Sequence, residues 1–285
     1  MPAWTSGGDW ATFAGCKSLS FVNAPALIIA EAEIFRFCTG LKSVSFPECL
    51  EVGSVAFGST AFSSIYLPKC VSIGLAAFRD CSSLKTANFP KCTTLSSVMT
   101  FAYCSSLTTV SLPLCTSIPE DTFLGCRSLT TVVLTNCAYI GEEAFRFCSS
   151  LSSINLPNCI TIGEAAFSEC TNLKTVNAPL CEVLSDEAFT GCSLTSINIS
   201  NCKYIGFRAL DNLSVQVLSL PKCSYIGSAA IYGAKSIYLL STKLVSLGYG
   251  AIYGWRFTPQ VYVPTSLLTT YRNTYPSLEV SFVGV

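Results

Sequence analysis

Cysteine is the residue type in this chain with the widest chemistry, because thiols form disulfides, bind metals and act as nucleophiles. The sequence contains 17 cysteines and no histidine. The cysteines fall into two sets that recur at equivalent positions along the chain, here called columns. Each member of the first column follows an aromatic residue by three positions: Cys16, Cys38, Cys81, Cys104, Cys126, Cys148, Cys170 and Cys192. The second follows a proline-x pair or its equivalent and comprises Cys49, Cys70, Cys92, Cys115, Cys137, Cys159, Cys181, Cys202 and Cys223. Neighbours within a column are about 21 to 23 residues apart wherever no member is skipped, which indicates a structural repeat.

Disulfides and metal sites are both disfavoured by this arrangement. Stacked strands lie about 4.8 Å apart and disulfides need Cα separations of about 4.4 to 6.8 Å, so distance alone allows bonds along a column. In-register side chains point the same way, however, and an odd total leaves at least one thiol unpaired. Zinc sites favour clustered cysteines or histidine partners, whereas the spacing between the two columns is mostly half a repeat. We therefore expect free, buried packing thiols and neither a metal nor another cofactor.

Catalysis is also disfavoured. Without histidine, a Ser-His-Asp or Cys-His arrangement is impossible, and the commonest general base near neutral pH is missing. Glu142 with Glu143, and Asp186 with Glu187, are the carboxylate pairs that could work as acid and base. Both pairs follow the same corner of the repeat, so we expect them to be solvated residues at helix starts. The sequence predicts that this protein is not an enzyme.

A second kind of column supports the repeat at the sequence level. Its members recur at the same interval as the cysteines and are Phe13, Phe35, Phe57, Phe78, Phe101, Phe123, Phe145, Phe167, Phe189, Leu210, Ile231 and Ile252. They predict twelve turns of a solenoid, whose units cannot bury their apolar faces alone and must stack.

Each repeat combines two kinds of local pattern. In the clearest unit, Ile154 and Leu156 lie two residues apart and are followed by Pro157, a pattern typical of a short strand that ends at the proline. The second half begins with Gly163 and Glu164 and spaces its apolar residues as one helical turn would. It predicts a short helix or 3₁₀ turn on the opposite face.

The repeated pattern L-x-x-I-x-L-P-x-C-x-x-I-G-x-x-A-F-x-x-C resembles the leucine-rich repeats of the BspA-like, or Treponema pallidum-type, subclass. Leu129, Val132, Leu134 and Cys137 stand at positions 1, 4, 6 and 9 of that motif, and the resemblance covers roughly residues 10 to 256. It implies an α/β repeat fold, a right-handed solenoid with a parallel sheet on its concave face. It also implies a non-enzymatic protein at a bacterial cell surface or outside the cell, adhering to host or neighbouring cells.

The chain is expected to form one elongated domain, because the core of a solenoid grows linearly with length. Residues 1–256 are predicted to form the leucine-rich-repeat solenoid and residues 257–285 a capping strand and helix. Trp10, Phe13 and Cys16 already match the second half of a repeat, so the N-terminal cap is missing or minimal. A truncated chain, a short natural cap and a buried N-terminal interface are the alternatives, and an uncapped end would allow self-association.

The C-terminal segment departs from the repeat. Val261, Val263 and Pro264 are interpreted as a last strand, and Ser266 to Tyr275 as a short helix with a hydroxyl cap. The turn around Ile237 to Leu247 fits the repeat poorly, so its register is open.

Charge and hydropathy argue against nucleic-acid binding, a transmembrane span and an export signal in this sequence. Seventeen basic residues balance seventeen acidic ones without a basic run, which argues against nucleic-acid binding. No stretch approaches the roughly 18 to 20 apolar residues of a transmembrane span, and Met1 to Asp9 lacks the pattern of an export signal.

The outward side chains of the predicted sheet are the candidate ligand-binding site. One file comprises Ser45, Tyr66, Asn88, Ser111, Val133, Asn155, Asn177, Asn198 and Ser219. The next comprises Ser43, Ser64, Thr86, Thr109, Thr131, Ser153, Thr175 and Ser196. Within this polar field, Tyr66 and Val133 are candidate anchors, since aromatic residues dominate binding hot spots. The alternative without a ligand is that these small polar residues only keep the sheet soluble.

A second candidate patch lies in the tyrosine-rich end of the chain, which comprises Tyr232, Tyr238, Tyr249, Tyr253, Trp255 and Tyr262. The alternative there is that these aromatic residues seal the final turn of the core.

Two functions follow from these patterns. The first is a non-catalytic protein-binding or adhesion scaffold that presents its Ser/Thr/Asn-rich concave face to a protein or glycan, including host surface or matrix. The second is a structural or assembly module of a longer repeat protein, without a ligand of its own.

Overall fold

The computed structural model describes residues 11–254 and 256–285, which form a parallel-strand solenoid of about twelve turns. They divide into two compact units, Met1–Leu151 and Ser152–Val285. Trp10, on which the prediction of a minimal N-terminal cap rests, and Trp255, a member of the predicted aromatic patch, lie outside the described residues.

Three-residue and two-residue strands alternate along the first unit. They are β1 (Phe21–Asn23), β2 (Ile29–Ala30), β3 (Ser43–Ser45), β4 (Glu51–Val52), β5 (Ser64–Tyr66), β6 (Ser72–Ile73), β7 (Thr86–Asn88), β8 (Thr94–Leu95), β9 (Thr109–Ser111), β10 (Ser117–Ile118), β11 (Thr131–Val133) and β12 (Tyr139–Ile140). Among the longer strands, β1 pairs with β3, and β5, β7, β9 and β11 form a four-stranded parallel sheet. Equivalent repeat positions are register partners, as in Asn88 with Ser111.

The second unit continues the alternation and then changes. Its elements are β13 (Ser153–Asn155), β14 (Thr161–Ile162), β15 (Thr175–Asn177), β16 (Val183–Leu184), β17 (Ser196–Asn198), β18 (Tyr204–Ile205), β19 (Val217–Ser219), β20 (Tyr225–Ile226), β21 (Ile231–Tyr232), β22 (Ser236–Tyr238), β23 (Ser246–Leu247), β24 (Ile252–Tyr253), β25 (Gln260–Val263), a 3₁₀ helix (Thr265–Leu267), α1 (Leu268–Thr274) and β26 (Ser281–Gly284). The longer strands form two parallel sheets, β13-β15-β17 and β19-β22-β25-β26. The turn around Ile237 to Leu247, whose register the sequence left open, stays aligned with the preceding turn. Leu218 pairs with Ile237, and Ile226 pairs with Leu247.

The predicted aromatic column is confirmed as part of the core from Phe35 onward, whereas Phe13 is only half-buried. Phe35 to Phe189 are fully buried, and Leu210, Ile231 and Ile252 continue the column with at most 1% exposure. Successive rings stack, as in Phe78 on Phe101, whose centroids lie 5.2 Å apart with an interplanar angle of 3°. Rings at this spacing combine apolar burial with a favourable offset geometry.

In the described repeats, the second half forms neither the short helix nor the 3₁₀ turn predicted from the sequence. Ala165 has φ 48° and Glu169 has φ 61°, and a left-handed residue interrupts a right-handed helix. The Phe167 N–H donates to the Ala188 carbonyl of the next turn at 2.9 Å instead of closing a helical bond. This half of the repeat is therefore a series of hydrogen-bonded turns, and Glu164 does not begin a helix.

The C-terminal segment contains more structure than predicted. β25 lies where the sequence predicts the last strand, but β26 follows it and pairs with it in parallel. No side chain caps the 3₁₀ helix or α1, so the predicted hydroxyl cap is wrong. The Thr265 hydroxyl donates to the Val285 carbonyl at 3.1 Å, which joins the segment to the end of β26. The division into residues 1–256 and 257–285 stays a prediction.

Candidate functional site

The outward side chains of the three-residue and four-residue strands, here called the strand face, include all the predicted ligand-binding residues. In the first unit, Tyr66, Asn88, Ser111 and Val133 are successive register partners on β5, β7, β9 and β11. Ser45 lies on β3 and pairs with Asn23 of β1. These residues therefore form aligned rows, as the repeat spacing predicted.

In the second unit, Asn155, Asn177 and Asn198 form a row of linked amides. The Asn177 Nδ2 donates to the Asn155 Oδ1 at 2.7 Å, and the Asn198 Nδ2 donates to the Asn177 Oδ1 at 2.9 Å. Each amide is thereby oriented before any ligand arrives, which reduces the entropy lost on binding.

The neighbouring row of the strand face consists of short, uncharged side chains. In the first unit Ser64, Thr86, Thr109 and Thr131 are register partners, and in the second unit Ser153, Thr175 and Ser196 are. Their hydroxyls both donate and accept hydrogen bonds. The strand face is thus suited to a partner recognised by directional hydrogen bonds rather than by charge.

The structure adds residues to the strand face that the sequence analysis did not place there. Asn23 extends the first unit's row, and Tyr238 and Tyr262 follow Ser219 in the second unit. The rings of Tyr238 and Tyr262 stack with centroids 4.4 Å apart. The signal was present in the sequence, because Ser236 to Tyr238 repeats the Ser-Ile-Tyr pattern of β5.

The tyrosine-rich end does not form one patch among the described residues. Tyr232 and Tyr253 stack at 4.6 Å on β21 and β24, whereas Tyr238 and Tyr262 belong to the strand face. Tyr249 is 90% exposed and lies on a Gly-Tyr-Gly turn.

The cysteines pack in the core, as predicted, and all except Cys16 are buried. In the first column most thiols donate a hydrogen bond to a phenylalanine carbonyl of the preceding turn, as Cys104 does to Phe78 at 3.1 Å. In the second column most donate to the carbonyl two residues on, as Cys137 does to Tyr139 at 3.2 Å. Burial raises the pKa of the Cys137 thiol to about 11, which suppresses the reactive thiolate.

The two carboxylate pairs have structural partners. Glu143 forms an ion pair with Arg146 at 2.6 Å, and the Asp186 Oδ1 accepts the Phe207 N–H at 2.8 Å. Within residues 11–254 and 256–285, no three His, Cys, Asp or Glu side chains are grouped closely enough to hold a metal ion. The same residues contain no helix of the length and apolarity that a bilayer crossing requires.

Comparison with known proteins identifies relatives of this repeat. The family model described as BspA type leucine rich repeat region matches residues 10–130, 97–215 and 182–275. A leucine-rich repeat protein from Bacteroides ovatus is 20% identical with a TM-score of 0.65, over 97% of this chain and 86% of that one. A leucine rich cell surface protein from Faecalibacterium prausnitzii is 19% identical with a TM-score of 0.49, over 93% and 88%. No curated protein matches.

Proposed function

The chain belongs to the BspA-type leucine-rich-repeat family, and from this we propose that it is a non-catalytic adhesion scaffold at a bacterial cell surface. The family implies a protein-binding or scaffold role. The finer assignment is that the strand face contacts a protein or glycan ligand of a host surface or matrix.

The observation that carries the proposal is the oriented polar chemistry of the strand face. Exposed Asn, Ser and Thr side chains recur at equal intervals on register-matched strands, and the Asn155–Asn177–Asn198 amides are already linked by hydrogen bonds. A repeat scaffold needs nothing more than such a surface to bind, because its core alone maintains the geometry. The proposed contact residues are Ser45, Tyr66, Asn88, Ser111, Val133, Asn155, Asn177 and Asn198.

The proposal is tested by placing a charge on the strand face. We expect Asn88→Glu to reduce capture of the chain on arrays of matrix proteins and glycans by about tenfold or more, since an unpaired carboxylate would be desolvated at the contact. Ser117→Glu is the matched control, because Ser117 is equally an exposed strand residue but belongs to the two-residue strand β10. That variant should bind like the unmodified chain.

Two results would contradict the proposal. One is equal binding by both variants, which would locate the contact elsewhere. The other is the absence of any captured ligand together with end-to-end oligomers in light scattering, which is the behaviour expected of an assembly module.

A further inference from the structure

The strand face of the first unit is open at one place, between β3 and β5. The sheet β5-β7-β9-β11 begins at β5, and β3 pairs with β1 alone. Further along, the Leu67 N–H donates to the Asn88 carbonyl at 3.3 Å and the Phe89 N–H to the Ser111 carbonyl at 3.0 Å. Among the described residues the equivalent bond, from the Phe46 N–H to the Tyr66 carbonyl, is absent.

Larger core residues accompany this opening. Phe62 stands at the first position of the repeat motif, where the adjacent turns have leucine. The segment between this position and the aromatic-column residue of the same turn, Phe57, is one residue shorter than in the adjacent turns. Phe62 is fully buried and packs edge-on against Phe57, with centroids 5.7 Å apart. Val44 of β3 is half-buried, whereas Ile65, its equivalent in β5, is 3% exposed.

A cavity of about 300 Å³ lies at the opening. Its lining includes the serines Ser43, Ser45 and Ser64, the ring of Tyr66, and two prolines, Pro47 and Pro68. Tyr66 is 60% exposed, although it carries a large aromatic side chain. The lining has no charged side chain, and nearby Lys69 is paired with Glu48 at 2.6 Å.

The chemistry of this cavity selects among ligand classes. An exposed aromatic ring provides an apolar platform, while serine hydroxyls and unpaired backbone groups provide donors and acceptors around it. A pyranose ring has the matching surface, with C–H groups on its face and hydroxyls on its rim. The uncharged lining gives no counter-charge to a phosphate, a carboxylate or an ammonium group.

The size of the opening disfavours a peptide strand. An inserted strand would separate β3 from β5 by about 9.6 Å, twice the usual spacing of about 4.8 Å. Cα atoms of the two strands instead approach within 8 Å. The cavity is at the lower end of the roughly 300 to 1,000 Å³ of small-molecule sites, which suits a single ring.

We propose that the opening between β3 and β5 is a subsite for a neutral sugar ring, which stacks on Tyr66 and hydrogen-bonds to the serine hydroxyls and open backbone groups. The proposal rests on the function proposed above and specifies the ligand class at one position of the strand face. The remaining strand face would then contact the rest of the glycan.

The test is saturation-transfer NMR and calorimetry of the whole chain with glucose, galactose, mannose and N-acetylglucosamine as probes. We expect saturable binding of at least one probe. Tyr66→Ala should weaken that binding by more than about tenfold, and Tyr66→Phe by less than about threefold, because the platform is retained. Ser64→Val, which removes one hydroxyl from a strand position that suits valine, should also weaken it.

Tyr139→Ala is the control, since Tyr139 is a 45% exposed tyrosine on β12 rather than on the strand face. Its sugar binding should be unchanged, and a thermal melt establishes that each variant is folded. Absence of binding by the unmodified chain, or equal binding by folded Tyr66→Ala, would overturn the subsite. If no sugar binds but Asn88→Glu still abolishes capture of a protein ligand, the subsite is wrong and the proposed function stands.

Discussion

At the residue scale, the cysteines act as small hydrogen-bond donors inside an apolar core. A buried carbonyl without a partner costs free energy, and a thiol supplies a weak donor with little volume. Thr60 stands in the first column where the adjacent turns have cysteine, and its hydroxyl donates to the Phe57 carbonyl of its own turn at 2.8 Å and lies 3.2 Å from the Cys81 thiol. A side chain other than cysteine therefore fits at this position, and in later turns Leu213 and Ala234 occupy it.

The buried thiols predict a loss of stability in alkali. Burial raises the pKa of Cys137 and Cys223 from 9.0 to about 11, and that of Cys192 and Cys202 to about 12. The unfolded thiols ionise above about pH 9 while the folded thiols keep their protons, so stability is full below pH 9 and falls as the pH approaches the folded pKa.

At pH 10 each such thiol should lower the free energy of unfolding by roughly 1.4 kcal/mol. Urea unfolding at pH 8 and pH 10 under reducing conditions measures the loss. Cys137→Ala should reduce the pH 8 to pH 10 difference by about that amount. An identical pH dependence of the two proteins would contradict a protonated, buried Cys137.

The aromatic column predicts a large cost for a single truncation. Phe101 is fully buried between Phe78 and Phe123, at centroid distances of 5.2 and 5.4 Å. Phe101→Ala should lower the free energy of unfolding by about 3 to 5 kcal/mol, through lost burial and the cavity left behind. Tyr103→Ala, at a 44% exposed position of the same turn, should cost less than about 1 kcal/mol. Chemical denaturation at neutral pH compares them, and similar losses would contradict the assignment of the core.

At the scale of the element, the second half of each repeat depends on residues in the left-handed region. Ala76 and Ala165 both have φ 48°, at the same repeat position in the two units. Non-glycine residues pay roughly 1 to 2 kcal/mol for this conformation. The inter-turn hydrogen bonds on either side of them offset that cost.

Neighbouring alanines distinguish this geometry from the predicted helix. Ala76→Gly should stabilise the protein by up to about 1 kcal/mol, because glycine adopts positive φ without the steric cost. Ala77→Gly should instead destabilise it by about 1 kcal/mol or more, since Ala77 is fully buried and not among the positive-φ residues. Urea midpoints measure both, and destabilisation of equal size by the two substitutions would indicate a helix.

Element prediction succeeded where side-chain periodicity determines the structure. Strands ending at Pro68 or Pro157 follow directly from alternation and the missing proline donor. The turns after Gly163 were mistaken for a helix because apolar spacing is similar in both, and only the backbone hydrogen bonds distinguish them. β26 keeps the repeat interval, because Ser281 pairs with Gln260 one repeat earlier, but α1 replaces the usual turn between the two strands and hides that interval in the sequence.

At the scale of the whole molecule, repetition makes the turns exchangeable within a unit. Removal of Ser105 to Cys126, which is one complete repeat, joins Cys104 to Arg127 and restores the same sequence pattern. The shortened protein should fold cooperatively, with a denaturant m-value lower roughly in proportion to the residues removed. Removal of Ser105 to Cys115 alone should prevent folding of the unit, because it places a strand against a turn. Circular dichroism during urea unfolding tests both deletions.

The candidate site was predictable only in part from the sequence. The repeat spacing placed Asn88 and Ser111 side by side, because register follows from a fixed period. The opening beside Tyr66 was not predictable, since it depends on how Phe46 and Phe62 fill the core beneath two particular strands. The position of Tyr238 on the strand face was not deduced from the sequence, because the repeat spacing is irregular around it.

The thiols also provide natural reporters for the turns up to Cys223, most of which carry a cysteine from each column. Each buried cysteine can react with an alkylating reagent only when its own turn opens, and the turns differ in which cysteine they carry. Pulsed alkylation followed by peptide mass spectrometry would therefore give an opening free energy for each turn in the unmodified chain.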